Sequence, residues 1–421
     1  MSSPPDMRAR RLPLLSCLVL VALAGAPPSH AQAVRPDADP RLEALVAGIS
    51  EQRLRRTVDT LAAFGTRNTL STTTSPTRGI GAAREWIVGE LKAASPRLQV
   101  SYDLHQVAQQ GRITRDAELR NILAVLPGRS PRRIYVTAHY DTVSLGATGQ
   151  VGLNAARATT PAAPADALAA PGQDHDQPAP GANDNGSGTA LTMELARVIA
   201  SSGLEFDATL VFALWAGEEQ GLVGARAHVQ ALAAARAPVE ADFNSDIVGG
   251  STGGDGAVDA ESVRVYAEGP EDSMSRSLAR FVHRVGTLYV PSHRIRLIAR
   301  HDRFGRGSDH SAYNQHGYAA IVFRESNENF AKQHSPSDTP EGVDAAYLAR
   351  NTRVNVAAVA ALALAPAAPV VTDDRGGVRV TRQPSGYDAT LQWSPSAGAV
   401  AYRVYWRDGW ATDWQYSRLV G

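Results

Sequence analysis

The stretch Ala208-Thr-Leu-Val-Phe-Ala-Leu-Trp-Ala-Gly-Glu-Glu219 joins an almost wholly apolar run to two adjacent acidic residues. A short apolar run of this kind is typical of a strand that is buried on both faces of a parallel sheet. Two neighbouring carboxylates directly after such a strand are unfavourable unless water, a partner or a metal ion compensates their charge. The stretch therefore predicts a buried strand over 208–215 that ends at a polar site, and a solvated turn is the simpler alternative for the two acids.

Strands and helices alternate on both sides of this stretch. The apolar and alternating patterns predict strands over 98–104, 120–126, 133–139, 208–215, 241–247, 262–267, 294–298 and 319–323. The helical spacing of apolar residues predicts helices over 41–64, 79–94, 186–201, 222–235, 274–285 and 343–364. Alternation of this kind predicts an α/β fold, with three α/β/α layers around a mixed, mainly parallel central sheet.

The composition is that of a globular protein without a nucleic-acid partner. The 421 residues include 43% hydrophobic and 20% charged residues, and 42 Lys and Arg balance 42 Asp and Glu. A chain of this length can bury a large core without covalent cross-links. Because the balanced charge supplies no basic surface, we expect no binding to nucleic acid. The composition carries no signal for an oligomeric state.

The N-terminus has the pattern of a signal peptide over 1–31. Arg8, Arg10 and Arg11 precede an apolar run over 12–24, and Ser29-His-Ala31 offers small residues for cleavage. The run is too short to span a membrane, so we expect no stable span in the mature chain and a periplasmic or secreted bacterial protein. The only cysteine, Cys17, lies within the signal, so the mature chain has no disulfide. Lipid modification of Cys17 is the minor alternative.

Two further segments stand apart from the main domain, which we place at 32–365. Residues 144–182 are rich in Ala, Pro and Gly without periodicity, and we interpret them as an inserted loop. The tail over 366–421 changes character, because 390–393 and 401–406 alternate like antiparallel strands. This short β-rich tail resembles part of a fibronectin type III module, although it has only about half of the ~100 residues of such a sandwich.

Four more groups of polar residues lie near the ends of predicted elements. They are His139-Tyr-Asp141, Gly181-Ala-Asn-Asp184-Asn-Gly-Ser-Gly188, Asn244-Ser-Asp246 and Gln333-His-Ser-Pro-Ser-Asp338. In open α/β sheets, active sites form where strands end. His139 and Asp141 can share one side of a strand, so that Asp141 could accept the second ring N–H of His139. Each group alone has a simpler structural explanation, such as a helix N-cap for the aspartate before 186.

Taken together and in this order, the five groups resemble the M28 family of dizinc aminopeptidases over roughly 41–364. The Asn-Asp-Asn-Gly-Ser-Gly and Gly-Glu-Glu groups are the most specific parts of the resemblance. The segment Gly305-Arg-Gly-Ser-Asp-His-Ser-Ala-Tyr313 also resembles a family element that borders the substrate site.

The resemblance implies a metallopeptidase that holds two Zn²⁺ per chain and cleaves peptides with a free N-terminus, and the signal-peptide pattern adds the expectation that it is exported. It assigns His139 and Asp246 to one metal, Glu219 and His334 to the other, Asp184 as the bridge, Glu218 as the general base, Asp141 as the residue that orients His139, and Asp309 and His310 to the lining of the substrate site. The nucleophile would be a hydroxide that bridges the metals. Three carboxylate ligands leave one of the four positive charges of two Zn²⁺ for such a hydroxide, which agrees with this assignment. The family often has a cis peptide after the bridging aspartate.

Three other functions remain open from the sequence. A carboxypeptidase or dipeptidase of the M20 type shares the His-x-Asp and Glu-Glu groups, but the Asn-Asp-Asn-Gly-Ser-Gly turn argues against it. A glutaminyl cyclase with one zinc is disfavoured because all five ligand positions of a two-metal site are present. A binding protein on an inactive peptidase fold would be expected to have lost a ligand or the base. The residue preference, the native metal if it is not zinc, and the roles of the insert and the tail are not determined.

Overall fold

An eight-stranded sheet forms the centre of the computed structural model, which describes residues 37–145, 175–382, 384–386 and 388–420. The predicted signal peptide over 1–31 and most of the predicted insert over 144–182 lie outside these residues. The strands of the sheet are β1 (Gln99–Val107), β2 (Ala117–Leu126), β3 (Arg133–His139), β4 (Thr209–Trp215), β5 (Val239–Ser245), β6 (Ser262–Ala267), β7 (Arg294–Ile298) and β8 (Ala320–Glu325).

The spatial order of the strands is β1-β2-β4-β3-β5-β8-β6-β7. Neighbours within the central block β4-β3-β5-β8 run parallel, as do β6 and β7. The pairs β1·β2, β2·β4 and β6·β8 are antiparallel. The sheet is therefore mixed and mainly parallel, as the sequence predicts, and the carboxyl ends of the four central strands meet at one edge.

Helices cover both faces of the sheet. They are α1 (Pro40–Ala47), α2 (Glu51–Ala63), α3 (Gly79–Ala94), α4 (Gly186–Ser201), α5 (Val223–Ala234), α6 (Met274–Tyr289), α7 (His310–Gln315) and α8 (Ala345–Leu364). Side chains of β4 alternate between two apolar clusters: Leu210, Phe212 and Leu214 join the larger one, and Val211 and Trp215 the smaller one. The smaller cluster includes residues of α5 and α7, whereas the larger includes residues of the other six helices. The predicted three-layer α/β/α fold is confirmed.

Most predicted elements are present, but the predicted helix over 41–64 is wrong. The chain forms two helices there, because the Ser50 side chain accepts a hydrogen bond from the backbone N–H of Arg53 at 3.3 Å and starts α2 afresh. The short helix α7 is not predicted, since its six residues are too few to display a helical period.

The tail beyond α8 forms two small antiparallel hairpins, β9 (Val380–Arg382) with β10 (Ala389–Leu391) and β11 (Tyr402–Trp406) with β12 (Tyr416–Val420). These two-stranded sheets are not the two packed sheets of a fibronectin type III sandwich, so the described tail does not support that resemblance. The second hairpin instead contacts α6, where Arg280 Nε donates to the Thr412 carbonyl at 2.8 Å.

No helix of the described residues has both the length and the apolar character that crossing a bilayer would require.

The fully buried side chain of Arg67 connects three segments of the main domain. The Arg67 guanidinium donates to four backbone carbonyls, those of Tyr140 (2.7 Å), Leu61 (3.0 Å), Pro180 (2.7 Å) and Gly181 (2.8 Å). Burial lowers the pKa of Arg67 to about 10, so the group remains charged at neutral pH. Arg67 thus joins the end of α2, the residue after β3 and the turn that precedes α4.

We predict that Arg67→Met lowers the free energy of unfolding by about 3–5 kcal/mol, because four buried carbonyls lose their donor. Urea-induced unfolding measures this loss. Arg56→Met is the control, because Arg56 is exposed on α2 and surface changes of this kind stay within about 0.5 kcal/mol. Equal stability of the two variants would show that water replaces the four hydrogen bonds.

Candidate metal centre

The polar residues of the site follow the carboxyl ends of neighbouring parallel strands. His139 is the last residue of β3, Glu218 and Glu219 follow β4, and Asp246 follows β5 directly. His334 lies in the loop after β8, the next strand of the same parallel block. Because these ends share one edge of the sheet, residues up to 195 positions apart in the chain (His139 and His334) are brought together.

Asp184 enters this edge from the turn before α4. Asn185 caps that helix by accepting the backbone N–H of Gly188 at 2.9 Å. The peptide bond Asp184–Asn185 is cis, as the family resemblance implies. The two carboxylate oxygens of Asp338 accept the backbone N–H groups of Asn183 (3.0 Å) and Asp184 (2.8 Å), so the turn is held from its outer side.

Asp184 lies between the two histidines. Its Oδ1 is 3.4 Å from His139 Nε2, and its Oδ2 is 3.1 Å from His334 Nε2. On the His139 side, Asp246 Oδ1 is 3.5 Å from the same ring nitrogen. On the His334 side, Glu219 Oε2 is 3.2 Å from the ring nitrogen. The geometry therefore forms two donor sets that share one carboxylate.

This donor arrangement fits metal ions. Zinc binds nitrogen and oxygen ligands at about 2.0–2.2 Å, which places tetrahedral ligands about 3.3–3.6 Å apart. The separations between the histidine nitrogen and the carboxylate oxygens are 3.4 and 3.5 Å in the His139 set and 3.1 and 3.2 Å in the His334 set, which is at or slightly below that distance. Two buried carboxylate oxygens, Glu219 Oε1 and Asp246 Oδ1, accept no hydrogen bond from the described residues. Buried carboxylate oxygens without a donor are costly, and a bound cation would satisfy them.

Glu218 lies beside the His139 set rather than apart from it. Its Oε2 is 3.9 Å from His139 Nε2, and ligand atoms of His139, Glu218 and Asp246 all lie within 4.8 Å of one another. The Glu218 side chain is 12% exposed, against 4% for Glu219. Burial raises the pKa of Glu218 to about 7, with the charges of Asp246 and Asp141 adding to the rise and that of His139 opposing it. The carboxyl group is thus placed to exchange a proton near neutral pH.

Asp141 connects His139 to the glutamate pair. The His139 Nδ1 atom is 3.2 Å from the backbone carbonyl of Asp141 and 3.5 Å from its carboxylate Oδ1. The carboxylate accepts the backbone N–H groups of Glu218 and Glu219, each at 3.2 Å. Asp141 therefore orients His139 through its backbone and fixes the two glutamates through its side chain, whereas the sequence suggests only a carboxylate contact to the ring.

Asp309 and His310 differ in their surroundings. Both oxygens of Asp309 are buried without a hydrogen-bond partner among the described residues, and burial together with the nearby charge of Glu218 raises its pKa well above the usual range. The His310 ring stacks on His301 with 4.6 Å between ring centres, and its Nε2 lies 3.1 Å from the His301 carbonyl. Burial lowers the pKa of His310 to about 3. Of the two residues, Asp309 is therefore the one whose pKa responds to the charge of Glu218.

Sequence reasoning assigned no role to Arg324, although it touches the site. Its Nη1 lies 2.9 Å from Asp246 Oδ2. Burial tends to raise the pKa of Asp246, but the charges of Arg324 and His139 outweigh this and lower it to about 2. An arginine inside a buried strand is the signal that could have revealed it, because such a charge requires a carboxylate partner. Gln333, which precedes His334, is buried, and its side-chain amide donates to Glu328 Oε2 at 3.1 Å.

Residues 121–359 match the family model of Peptidase family M28. A protein named probable zinc metalloprotease, from the fungus Pyricularia oryzae, is 36% identical over 427 residues, which cover 92% of this chain and 78% of that protein. Its fungal source gives no support to the bacterial origin expected from the sequence.

Two solved structures share the fold. The LapA aminopeptidase of Legionella pneumophila superimposes with a TM-score of 0.56 at 21% identity, over 77% of this chain and 75% of that chain. A glutaminyl cyclase of Fimbriiglobus ruber superimposes with a TM-score of 0.54 at 19% identity, over 74% and 95% respectively. At these identities the likeness concerns the fold and not the reaction. The family model and the relative that covers nearly the whole chain agree, and we conclude that this chain belongs to peptidase family M28.

Proposed function

We propose that this chain is an exported aminopeptidase that holds two zinc ions and removes N-terminal residues from peptides. One observation carries the proposal: Asp184 divides its two oxygens between His139 and His334, at 3.4 and 3.1 Å. A single buried carboxylate between two donor sets is the arrangement that a two-metal hydrolytic site requires. The fungal relative is named a probable zinc metalloprotease, which supports zinc as the metal.

In this proposal, His139 and Asp246 hold one zinc, Glu219 and His334 hold the other, and Asp184 bridges them. Zinc bound there would polarise the scissile carbonyl and lower the pKa of water. Histidine and carboxylate ligands without sulfur are typical of catalytic rather than structural zinc sites. Asp141 accepts the backbone N–H groups of Glu218 and Glu219, and Asp338 accepts that of Asp184, so contacts within the protein position these side chains.

Glu218 has the properties of the general base. Its Oε2 is farther from His139 Nε2 than the Asp184 and Asp246 oxygens are, at 3.9 Å against 3.4 and 3.5 Å, and its side chain is the more exposed of the glutamate pair. Glu218 therefore takes the proton of the attacking water at Oε2 and delivers it to the amine that leaves. Glu219 remains a ligand, which explains why two adjacent glutamates are needed.

The substrate class and the location are further parts of the proposal. Aminopeptidase activity rests on the family resemblance of the Asn-Asp-Asn-Gly-Ser-Gly and Gly-Glu-Glu groups, and the LapA aminopeptidase has the same fold. The glutaminyl cyclase with the same fold is the competing activity. Export rests on the signal-peptide pattern over 1–31.

The decisive test is hydrolysis of aminoacyl chromogenic substrates by the purified mature chain, with bound metal counted in parallel. We expect chelator-sensitive cleavage of free-amine substrates, no cleavage of their N-acetylated forms, and two zinc ions per chain. Two bound metals without cleavage of any aminoacyl substrate would refute the aminopeptidase. Cyclisation of N-terminal glutamine in the same preparation would favour the cyclase instead.

Glu218→Gln separates metal binding from chemistry. We predict that this variant keeps both metals and loses about 10²–10⁴-fold in turnover, because the base is removed and no ligand is. Metal content by atomic spectroscopy and the turnover of a free-amine substrate measure the two effects. Glu205→Gln, at an exposed loop position, is the control and should match the parent chain. Full activity of Glu218→Gln would show that the base is a different residue.

Asp184→Ala tests the shared carboxylate through stability. For the parent chain stripped with chelator, we predict that zinc at about 100 times its dissociation constant raises the free energy of unfolding by about 2.7 kcal/mol for each site. Asp184→Ala should lose this gain, because both donor sets lose an oxygen. Thermal unfolding with and without zinc measures the gain, and Asp59→Ala on the exposed face of α2 should retain it. An undiminished gain in Asp184→Ala would place the zinc elsewhere.

A further inference from the structure

Arg324 is a fully buried arginine that lies between a proposed metal ligand and a second aspartate. It belongs to β8, and its side chain has no exposed surface. Nη1 lies 2.9 Å from Asp246 Oδ2 and donates to the Asp246 carbonyl at 3.1 Å. On the other side, Nη2 donates to Asp302 Oδ2 at 2.8 Å and to the Gly307 carbonyl at 3.1 Å. The guanidinium is thus held in one orientation by partners on two sides.

The two oxygens of the Asp246 carboxylate face different partners. Oδ2 faces the Arg324 guanidinium, whereas Oδ1 lies 3.5 Å from His139 Nε2 and accepts no hydrogen bond from the described residues. Only one oxygen is therefore turned towards the donor set. Partners that hydrogen-bond a ligating carboxylate from outside fix its orientation and tune the metal that it binds.

We propose that Arg324 is a positioning residue that fixes Asp246 as a one-oxygen ligand and thereby sets the metal affinity of the His139–Asp246 site. The proposal rests on the metal centre of the proposed function and adds to it a residue outside the ligand set. Arginine suits this role because its planar fork can bind two carboxylates at once, which the single ammonium group of lysine does with poorer geometry.

The surrounding charges keep Arg324 in place. Acidic and basic side chains alternate along one series of ion pairs, in the order Asp246, Arg324, Asp302, Arg303, Glu328 and Arg264. Asp302 Oδ1 is 3.2 Å from Arg303 Nε, and Arg303 in turn pairs with Glu328. Every charge in this series has a neighbour of opposite charge. Arg324 is therefore held between Asp302 and the proposed ligand Asp246.

The other donor set has no equivalent contact among the described residues. Glu219 accepts an arginine only at its backbone carbonyl, to which Arg112 Nη1 donates at 2.5 Å, and its carboxylate forms no ion pair with an arginine there. Loss of Arg324 should therefore affect one of the two metals and not the other. This asymmetry distinguishes a positioning role from a general contribution to folding.

The test compares Arg324→Gln with Arg303→Gln. Arg303 is nearly as buried, at 8% exposed, and belongs to the same series of ion pairs, but its ion-pair partners are Asp302 and Glu328 and not a proposed ligand. Zinc is titrated into the stripped full chain against a competing chelator, which yields a dissociation constant for each site. We expect Arg324→Gln to weaken one site about 10–100-fold and to leave the other unchanged, and Arg303→Gln to change neither by more than about 3-fold.

A His334→Ala background identifies the affected site. It removes one donor of the second set and leaves the His139–Asp246 pair, so adding Arg324→Gln should weaken the remaining zinc by the same factor. Arg324→Lys keeps the buried charge if the glutamine variant does not fold, and we expect it to weaken the same site because the fork is lost.

Three outcomes would overturn the proposal. Affinities of Arg324→Gln or Arg324→Lys equal to those of the parent chain would show that Asp246 needs no positioning. Equal weakening of both sites, matched by Arg303→Gln, would show that the cluster acts only through folding. A parent chain that binds no zinc would refute the proposed metal centre itself, and that result is distinct from a parent chain with two zinc ions whose sites ignore Arg324.

Discussion

The parallel alignment of β4, β3, β5 and β8 is the constraint on which the site depends. Parallel neighbours end at the same edge of the sheet, so the residues that follow each strand must share one small volume. His139, the glutamate pair, Asp246 and the loop of His334 reach that volume from four different strands. The helices on both faces cover the apolar sides of the same strands.

Such convergence concentrates negative charge in a buried region, and the structure compensates it in specific ways. Asp141 and Asp338 accept backbone N–H groups of the very loops that carry Glu218, Glu219 and Asp184. Arg324 pairs with Asp246, and the Arg67 side chain donates to carbonyls of the turn that leads to Asp184. Glu219 Oε1 and Asp246 Oδ1 remain buried without a hydrogen-bond donor among the described residues. Acceptors without a donor, surrounded by groups whose hydrogen bonds are satisfied, favour the binding of cations.

The fold alone does not decide the reaction. Solved structures of an aminopeptidase and of a glutaminyl cyclase superimpose on this chain about equally well, with TM-scores of 0.56 and 0.54. A shared architecture positions residues at the same edge of the sheet but does not determine what the substrate contacts there. Near the donor sets, Asp309 is buried and unpaired among the described residues, and Gln333, next to His334, is held by Glu328.

The sequence by itself determined the strands, most helices and the residues that meet at the site. Strand β3 and helix α4 have the predicted bounds, because apolar periodicity and end signals are local properties of the chain. The ligand candidates follow from their positions after predicted strands. Only the tertiary structure showed that Asp141 reaches His139 through its backbone, that Asp338 holds the Asp184 turn, and that Arg324 faces Asp246. It also showed two small hairpins in the tail, where the sequence resembles part of a fibronectin type III module. These features depend on contacts between residues far apart in the chain, for example 78 positions between Asp246 and Arg324, and no local pattern encodes such a pairing.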